Sequence, residues 1–353
     1  MIENKELDGG YTPRRLARGK KRTGLVVLLS AIAVVVVAAV VASTYLGSLA
    51  QTFNTKTQVI GEAFPDEDSR PIKSPDDGSL NFLLLGVDHG ADGTETSDLL
   101  EGGGTDQRSD SMMLMHIPED RKGVYVMSIV RDLYTDIPGY GSQKINATMA
   151  LGGVPLVVQT VEGMLDTKID HVAMIDFDGF KELTTALGGV TVHNDIEFYS
   201  TDNKKYHYPV GDIELKGNQA LRFVRERKPF VDGDYQRVRN QQKFISAVMD
   251  ELLSKDTLTN PATIFEVIDT VSPFLSLDNG FDAATAAGLG LQLKNLRSSD
   301  IEMFTLPTAG SGTSPDGQSI ELPDEQALVE IGEALRTNTF KQYLDRVNLQ
   351  DQE

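Results

Sequence analysis

One long apolar run dominates the hydrophobic pattern near the N-terminus. Residues 25–46 contain 22 positions without a charged side chain. A helix of that length, at about 1.5 Å per residue, spans the roughly 30 Å hydrocarbon core of a bilayer. Six basic residues lie just before the run and the next charge after it is Lys56, so the positive-inside rule places the N-terminus in the cytoplasm. We therefore predict a cytoplasmic basic segment at 1–22 and a single transmembrane helix at 23–46.

A cleaved signal peptide is the alternative interpretation of this run. The apolar region of such a peptide would be only about 7–15 residues long. The greater length favours a single-pass protein of the cell membrane, with everything after the helix outside the cytoplasm.

The segment 47–78 is polar and has no sustained apolar period. It contains three prolines and an acidic stretch around Asp66, Glu67 and Asp68. These features predict an extracytoplasmic linker, which if flexible would have an r.m.s. span of about 30 Å.

Three apolar runs after this segment predict consecutive strands: Phe82 to Val87, Met112 to Ile117 and Val124 to Val130. If they are antiparallel neighbours, the end of the first, the start of the second and the end of the third share one sheet edge. Asp88, Asp110 and Arg131 would then converge there. The alternative is that these charges are only solvated strand ends. In the functional interpretation, the two carboxylates hold Mg²⁺ and the neighbouring arginine binds phosphate.

Helical and extended patterns alternate further along the chain. Val154 to Leu165 and Phe180 to Leu187 predict helices, whereas Met174 to Phe177 and Val190 to Val192 predict strands. This alternation favours an α/β class, a layered α-β-α domain around a central mixed sheet that contains antiparallel strands.

A later helix carries polar residues on one face. Asp234, Arg237 and Gln241 follow one another at i, i+3 and i+7, with an apolar continuation through Phe244 and Val248. An Asp at the N-terminus of a helix is also a good cap. A capping role alone is therefore the simpler interpretation of Asp234.

Composition and charge narrow the chemistry. The net charge is −19, and residues 23–353 alone carry −23, so nucleic acid is an unlikely partner. Against this background five arginines lie between Arg222 and Arg239, which predicts a local anion site. The absence of cysteine excludes thiol chemistry, and the sequence contains neither a P-loop nor a Gly-x-Ser-x-Gly elbow.

Several separated motifs together resemble one family. They are Asp88 after a strand, Arg108-Ser109-Asp110, Ser128 to Asp132, Lys144-Ile145-Asn146, Ala220 to Arg227 and Asp234 to Gln242. Their order over residues 80–255, behind one membrane helix, resembles the LytR-CpsA-Psr family of cell-wall glycopolymer ligases.

The resemblance implies an extracytoplasmic, Mg²⁺-dependent phosphotransferase. Such an enzyme moves a glycopolymer from a polyprenyl-pyrophosphate carrier in the membrane onto peptidoglycan, through a phosphodiester bond. By position, Asp88 and Asp110 resemble the metal ligands, and Arg108, Arg131 and Asp234 the catalytic residues. The pyrophosphate-binding positions are Arg108, Arg131, Arg225, Arg227, Arg237 and Gln241. The general base is not identified by the motifs, and Asp132 and Asp234 are the candidates.

The match has three departures. Val130 stands where the family usually has Pro, Ala147 where a His is common, and the residue before Arg237 is not the favoured Gly. All three lie beside the charged groups rather than among them.

Two other functions use the same residues. A polyprenyl-pyrophosphate phosphatase would place water where the acceptor hydroxyl lies. A non-catalytic regulator or glycan-binding protein of the cell envelope would need no metal ligands beside so many arginines.

The C-terminal part predicts further helices around 264–271, 283–296 and 326–335 and a strand at 301–306. We assign most of it to one catalytic domain, 79–345, and predict a mobile acidic tail at 346–353.

Overall fold

The computed structural model describes residues 21–87, 109–201 and 205–350. The chain forms two compact units, 1–48 and 49–353. The first helix, α1 (Lys21–Lys56), begins in the first unit.

The predicted transmembrane segment lies within α1, but the side chains of residues 21–38 are outside the described part of the chain. Elsewhere in that part, one helical stretch, Ile145–Leu165, is long and apolar enough to cross a membrane, and 61% of it is buried inside the domain. That burial identifies a core helix. The membrane span at 23–46 stays a prediction.

A seven-stranded mixed sheet forms the centre of the second unit, in the order β1-β12-β7-β2-β3-β4-β13. Its strands are β1 (Gln58–Ile60), β2 (Leu80–Val87), β3 (Ser109–Ile117), β4 (Val124–Ile129), β7 (His171–Asp176), β12 (Leu275–Asp278) and β13 (Ile301–Thr305). Hairpins and short pairs add β5 (Tyr134–Ile137), β6 (Gly141–Lys144), β8 (Val190–Asn194), β9 (Phe198–Tyr199), β10 (His207–Tyr208), β11 (Gly211–Leu215), β14 (Thr308–Thr313) and β15 (Ser319–Pro323).

The three strands predicted as antiparallel neighbours pair in that way. Leu83 lies opposite Leu114, and Leu114 lies opposite Met127. The register places the end of β2, the start of β3 and the end of β4 at one edge of the sheet, as the apolar runs indicated. β7 then pairs parallel with β2, which makes the sheet mixed.

Helices cover both faces of this sheet. The remaining helices are α2 (Thr148–Leu165), α3 (Phe177–Ala186), α4 (Gly217–Arg225), α5 (Asp234–Leu252), α6 (Lys255–Leu258), α7 (Pro261–Val271), α8 (Ala283–Leu293), α9 (Glu325–Arg336) and α10 (Phe340–Gln350). On one face, Leu83 and Leu114 share a core with α2, α9 and α10. On the other face, Phe82 and Met113 pack against α5 and α8. Strands buried on both faces explain the continuous apolar runs in the sequence.

The segment 47–78 differs from the expected flexible linker. β1 pairs parallel with β12 as an edge strand of the central sheet, and Ile60 and Ala63 are 1% and 3% exposed in the main core. A stretch of only three strand residues followed by polar positions carries too little period-2 signal to be recognised in the sequence.

The same segment is also fastened by a buried ion pair. The guanidinium of Arg70, with a side chain 6% exposed, lies 2.7 Å from Oε1 of Glu162 in α2. Glu162 accepts a second bond from the backbone N–H of Ile169 at 2.8 Å. Two charges removed from water in this way are stable only together.

The C-terminal part belongs to the same domain. β12 and β13 form or adjoin the two edges of the central sheet, and α9 and α10 pack on its main core. The strand predicted at 301–306 corresponds to β13. Helix α10 continues through Gln350, into the segment predicted as an acidic tail, and Tyr343 and Leu344 of this helix are buried.

Loss of one partner of the Arg70–Glu162 pair should destabilise the domain. We expect Arg70→Met to lower the free energy of unfolding by about 3–5 kcal/mol, because Glu162 stays buried without its counter-charge. Arg70→Met combined with Glu162→Gln should recover part of that loss. Urea denaturation followed by circular dichroism measures both.

The control is Lys122→Met, whose ion pair with Asp120 is solvent-exposed and should change the stability by less than about 1 kcal/mol. An equally small effect of Arg70→Met would show that this contact does not hold residues 58–78 to the domain.

Candidate active site

The predicted site residues meet where several elements of the sheet and helices end. Arg131 and Asp132 come just after β4, which ends at Ile129, close to where the sequence predicted the strand end. The first turn of α5 brings Asp234 and Arg237, and the end of α4 and the residues after it bring Arg225 and Arg227.

The carboxylate of Asp234 lies among three arginines. Its oxygens are 2.8 Å from Nη2 of Arg237, 3.5 Å from Nη1 of Arg227 and 4.0 Å from Nε of Arg131. The side chain of Asp234 is 16% exposed. This acid therefore holds the arginines together, and the cap of α5 is Gly233 instead. The simpler interpretation of Asp234 as a cap is not what the structure shows.

A second carboxylate, Asp132, lies beside the same cations. Lys144 Nζ is 3.0 Å from one Asp132 oxygen, and Arg131 Nε and Arg227 Nη1 are 3.8 Å and 4.0 Å from the other. With Arg237, four cations thus face two carboxylates. The excess positive charge suits a ligand with more than one negative charge.

A cavity of about 490 Å³ opens beside these charges. Its sheet side is formed by residues of β2, β3 and β7 such as Leu84 and Ala173, and its helical walls come from α3, α4 and α5, including Phe180 and Val248. These four residues are apolar, as are most of the residues that line the cavity. The volume is within the roughly 300–1,000 Å³ of small-molecule sites.

Polar residues also line this cavity. Arg131, Arg225, Arg227, Arg237 and Gln241 are five of the six predicted pyrophosphate-binding positions, and Ser111 and Asp176 line it as well. The Arg225 guanidinium lies 4.2 Å above the centre of the Phe177 ring, and Gln241 Nε2 donates to the carbonyl of Val224 at 3.3 Å. An apolar space edged with guanidinium groups matches a ligand with an apolar tail and a phosphate head.

The predicted metal ligands are only partly placed. Asp88 and Arg108 lie outside the described residues, and for Asp110 the backbone alone is described, at the start of β3. The Asp110 backbone lies at the register shift between the Gly86–Ser111 and Val87–Ser109 pairs of β2 and β3. Within the described residues no cluster of three acidic or histidine side chains forms a metal site. By residue type, Asp88 and Asp110 suit Mg²⁺, which takes a few carboxylate ligands together with substrate phosphates.

Sequence reasoning missed three residues of the site. Lys144 belongs to one of the family motifs, but the sequence suggested no role for it. In the structure it forms an ion pair with Asp132. Phe177 and Asp176 line the cavity, and Asp176 also accepts a hydrogen bond from Gly179 N as the cap of α3. Asp176 is the last residue of β7 and Phe177 the first of α3, so their position where a predicted strand ends was the available signal.

Tyr235, the second residue of α5, connects this helix to the β14–β15 hairpin. Its hydroxyl donates to Glu321 Oε2 at 2.9 Å and lies 2.7 Å from Thr308 Oγ1. Burial raises the pKa of Tyr235 above its ordinary value, so the phenol remains a neutral donor.

A model described as the LytR_cpsA_psr family matches residues 44–337. The chain belongs to this family. As a member it is a phosphotransferase, as the resemblance of the separated motifs implied.

Curated relatives of this chain have similar names. This chain is 34% identical over 258 residues to the polyisoprenyl-teichoic acid–peptidoglycan teichoic acid transferase TagU of Enterococcus faecalis. The aligned region covers 73% of this chain and 78% of the relative. The enzyme of the same name from Bacillus cereus is 36% identical over 205 residues, 58% of this chain and 63% of the relative.

Solved structures share the fold. A structure of TagT bound to LI-WTA is 27% identical, with a TM-score of 0.60 over 77% of this chain and 96% of that one. TagV of B. subtilis, at 24% identity, matches with a TM-score of 0.62 over 74% of this chain and 98% of that one, which supports the fold alone.

The arginine cluster should bind pyrophosphate. We expect Arg227→Ala to weaken binding of inorganic pyrophosphate about tenfold or more, because a charge-assisted hydrogen bond contributes about 1.5–3 kcal/mol. Isothermal titration calorimetry in the presence of Mg²⁺ measures the affinity.

Arg239→Ala is the matched control. Arg239 is close in sequence but pairs with Asp232 and does not line the cavity, so its loss should change the affinity less than twofold. Equal effects of the two variants would mean that net charge alone attracts the anion.

Proposed function

We propose that this protein transfers a glycopolymer from a polyprenyl-pyrophosphate carrier to peptidoglycan and joins the two through a phosphodiester. The supporting observation is the arginine cluster at the side of the apolar cavity. The names of the relatives point to the same pair of substrates.

The donor would occupy both the apolar cavity and the arginine cluster beside it. Its polyprenyl chain enters the cavity and its pyrophosphate contacts Arg131, Arg227 and Arg237. The guanidinium groups bind phosphate oxygens bidentately and neutralise charge that develops on the leaving group. The membrane helix predicted at 23–46 would hold this site outside the cytoplasm, close to the lipid carrier.

The transfer step displaces polyprenyl phosphate. An oxygen of the acceptor hydroxyl forms a bond to the phosphorus that carries the glycan, while the bond from that phosphorus to the bridging oxygen breaks. The electron pair of the broken bond leaves with polyprenyl phosphate, and the hydroxyl proton passes to a carboxylate.

Asp132 is better placed than Asp234 to receive that proton. Asp234 contacts three guanidinium groups and has no lining position in either open space of the site. Asp132 lines an open polar groove next to Arg131. An incoming hydroxyl would therefore reach Asp132 from the groove, where the nearest cation to its carboxylate is Lys144 at 3.0 Å.

Asp88 and Asp110 would hold Mg²⁺ at the neighbouring sheet edge. When bound, the ion contributes charge stabilisation on the phosphate oxygens. Asp88 and Arg108, which lie outside the described residues, keep their proposed roles through the family motifs.

Transfer activity should depend on Arg131 and Asp110. We expect Arg131→Ala and Asp110→Ala each to lower the rate by about 10²–10³-fold, because each removes a group that stabilises transition-state charge. The assay combines a polyprenyl-pyrophosphate oligosaccharide, peptidoglycan and Mg²⁺, and follows linked product and polyprenyl phosphate separately. Arg239→Ala should remain active.

The two readouts separate the alternatives. Linked product that requires Arg131 supports the transferase. Polyprenyl phosphate released without linked product would support a phosphatase, and neither signal would support a binding or regulatory protein. Full transfer by Arg131→Ala would contradict the role assigned to this residue.

If the cavity holds the polyprenyl chain, reducing its volume should affect donors with long chains more than donors with short chains. Ala173 faces the cavity from β7, and Ala173→Phe should fill part of its volume. We expect a several-fold higher KM for a long-chain polyprenyl donor and little change for a donor with a short prenyl chain, because only the long chain needs the whole space. Steady-state kinetics with both donors tests this, with thermal unfolding to check the fold. Equal effects on both donors would contradict lipid binding in the cavity.

A further inference from the structure

A polar groove of about 530 Å³ lies next to the apolar cavity. Its walls are the β5–β6 hairpin, the first turn of α2 and the turn between β14 and β15. Among the described residues that line the two spaces, Arg131 is the one they have in common. The cavity and the groove therefore meet at the residue proposed to contact the reacting phosphate.

Segments that adjoin the walls of the groove are hydrogen-bonded to the backbone around Arg131. The N–H of Asn146 donates to the Arg131 carbonyl at 3.2 Å, and the N–H of Ile145 donates to the Leu133 carbonyl at 2.8 Å. On the opposite wall, the N–H of Glu321 donates to the Asp132 carbonyl at 2.9 Å. These bonds keep the groove in a constant position relative to the arginine cluster.

The contacts of Tyr235 reinforce the second wall. Through Thr308 and Glu321 they join the β14–β15 hairpin to α5, the helix that carries Asp234 and Arg237. The groove is thus built from the same framework as the charged centre, and a ligand would meet it preformed.

The chemistry of the groove suits a neutral sugar rather than a phosphate. Two cations, Arg131 and Lys144, are balanced by two carboxylates, Asp132 and Asp316, among its described lining residues. Hydroxyl and amide side chains such as Ser142, Gln143 and Gln318 add donors and acceptors for sugar hydroxyls.

One aromatic ring lies among these polar groups. Tyr134 is half-buried and directly opposite Lys144 in the β5–β6 pair, so the two side chains share a face. Lys144 in turn contacts Asp132. A ring with an apolar face and a polar tip offers a surface for the apolar face of a pyranose.

From this arrangement we infer that the groove binds the sugar of the acceptor glycan and aims its hydroxyl at the phosphate beside Arg131. This inference rests on the proposed function. In-line displacement requires the nucleophile to enter opposite the leaving group. With polyprenyl phosphate leaving on the side of the apolar cavity, the nucleophile enters from the groove, past Asp132.

The test compares two tyrosines in the full chain. The probes are glycan-strand fragments of peptidoglycan as acceptor and a polyprenyl-pyrophosphate disaccharide as donor. Tyr134→Ala should raise the acceptor KM about tenfold and leave the donor KM within about twofold. Tyr134→Phe keeps the ring and should behave as the wild type.

Tyr199→Ala is the matched control. Tyr199 is half-exposed on β9, stacks on His207 and does not line the groove, so its loss should change neither KM. Thermal unfolding of each variant checks that the fold is retained.

Two results would overturn the inference. An unchanged acceptor KM in Tyr134→Ala means that the acceptor binds elsewhere, and a donor KM that rises instead means that the groove holds the sugar of the donor. Calorimetric binding of the acceptor fragment to wild type and Tyr134→Ala separates this from the proposed function. If acceptor binding is weaker in Tyr134→Ala, the groove is supported as the acceptor site even if no transfer is observed. If transfer occurs but acceptor binding is the same in both proteins, the groove is rejected as the acceptor site and the proposed function stands.

Discussion

The shared carboxylate of Asp234 is the interaction on which the site depends. Arg131, Arg227 and Arg237 come from three separate parts of the chain and would repel one another if they were brought together alone. Asp234 lies within 4.0 Å of all three, and Asp132 supplies a second negative charge from the adjoining strand end. The two acids only partly offset the cations. Enough positive charge remains to attract a pyrophosphate into a protein that is acidic as a whole.

The mixed sheet determines where this charged cluster lies relative to apolar surface. β2, β3 and β4 end or begin at one edge, and β7 pairs parallel with β2 so that its last residue, Asp176, reaches the same edge. Helices α3, α4 and α5 cover the sheet there without filling the space beneath them. The result is an apolar cavity with arginines at its side, which suits a lipid-linked phosphate more closely than either feature alone.

The other side of Arg131 has a different character. The groove toward the β5–β6 and β14–β15 hairpins has balanced charges and hydrogen-bonding side chains. An amphipathic donor and a hydrophilic acceptor can thus approach one phosphate from two chemically distinct spaces. Backbone hydrogen bonds join Arg131, Asp132 and Leu133 to segments that adjoin the walls of the groove. The residues that follow β4 therefore hold the groove next to the cavity.

The sequence by itself determined the family, the α/β class and the order of the strands β2, β3 and β4. It also singled out, as predicted pyrophosphate-binding positions, five residues that the structure places at the cavity. Those features follow from local period, from residue type and from motif order, all of which are written along the chain. Only the tertiary structure decided that Asp234 joins arginines rather than capping α5, that β1 belongs to the central sheet, and that Tyr134 and Gln318 line one groove. The Asp234–Arg131 contact, the pairing of β1 with β12 and the lining of the groove all join residues far apart in sequence, for which local hydrophobic periodicity carries no information.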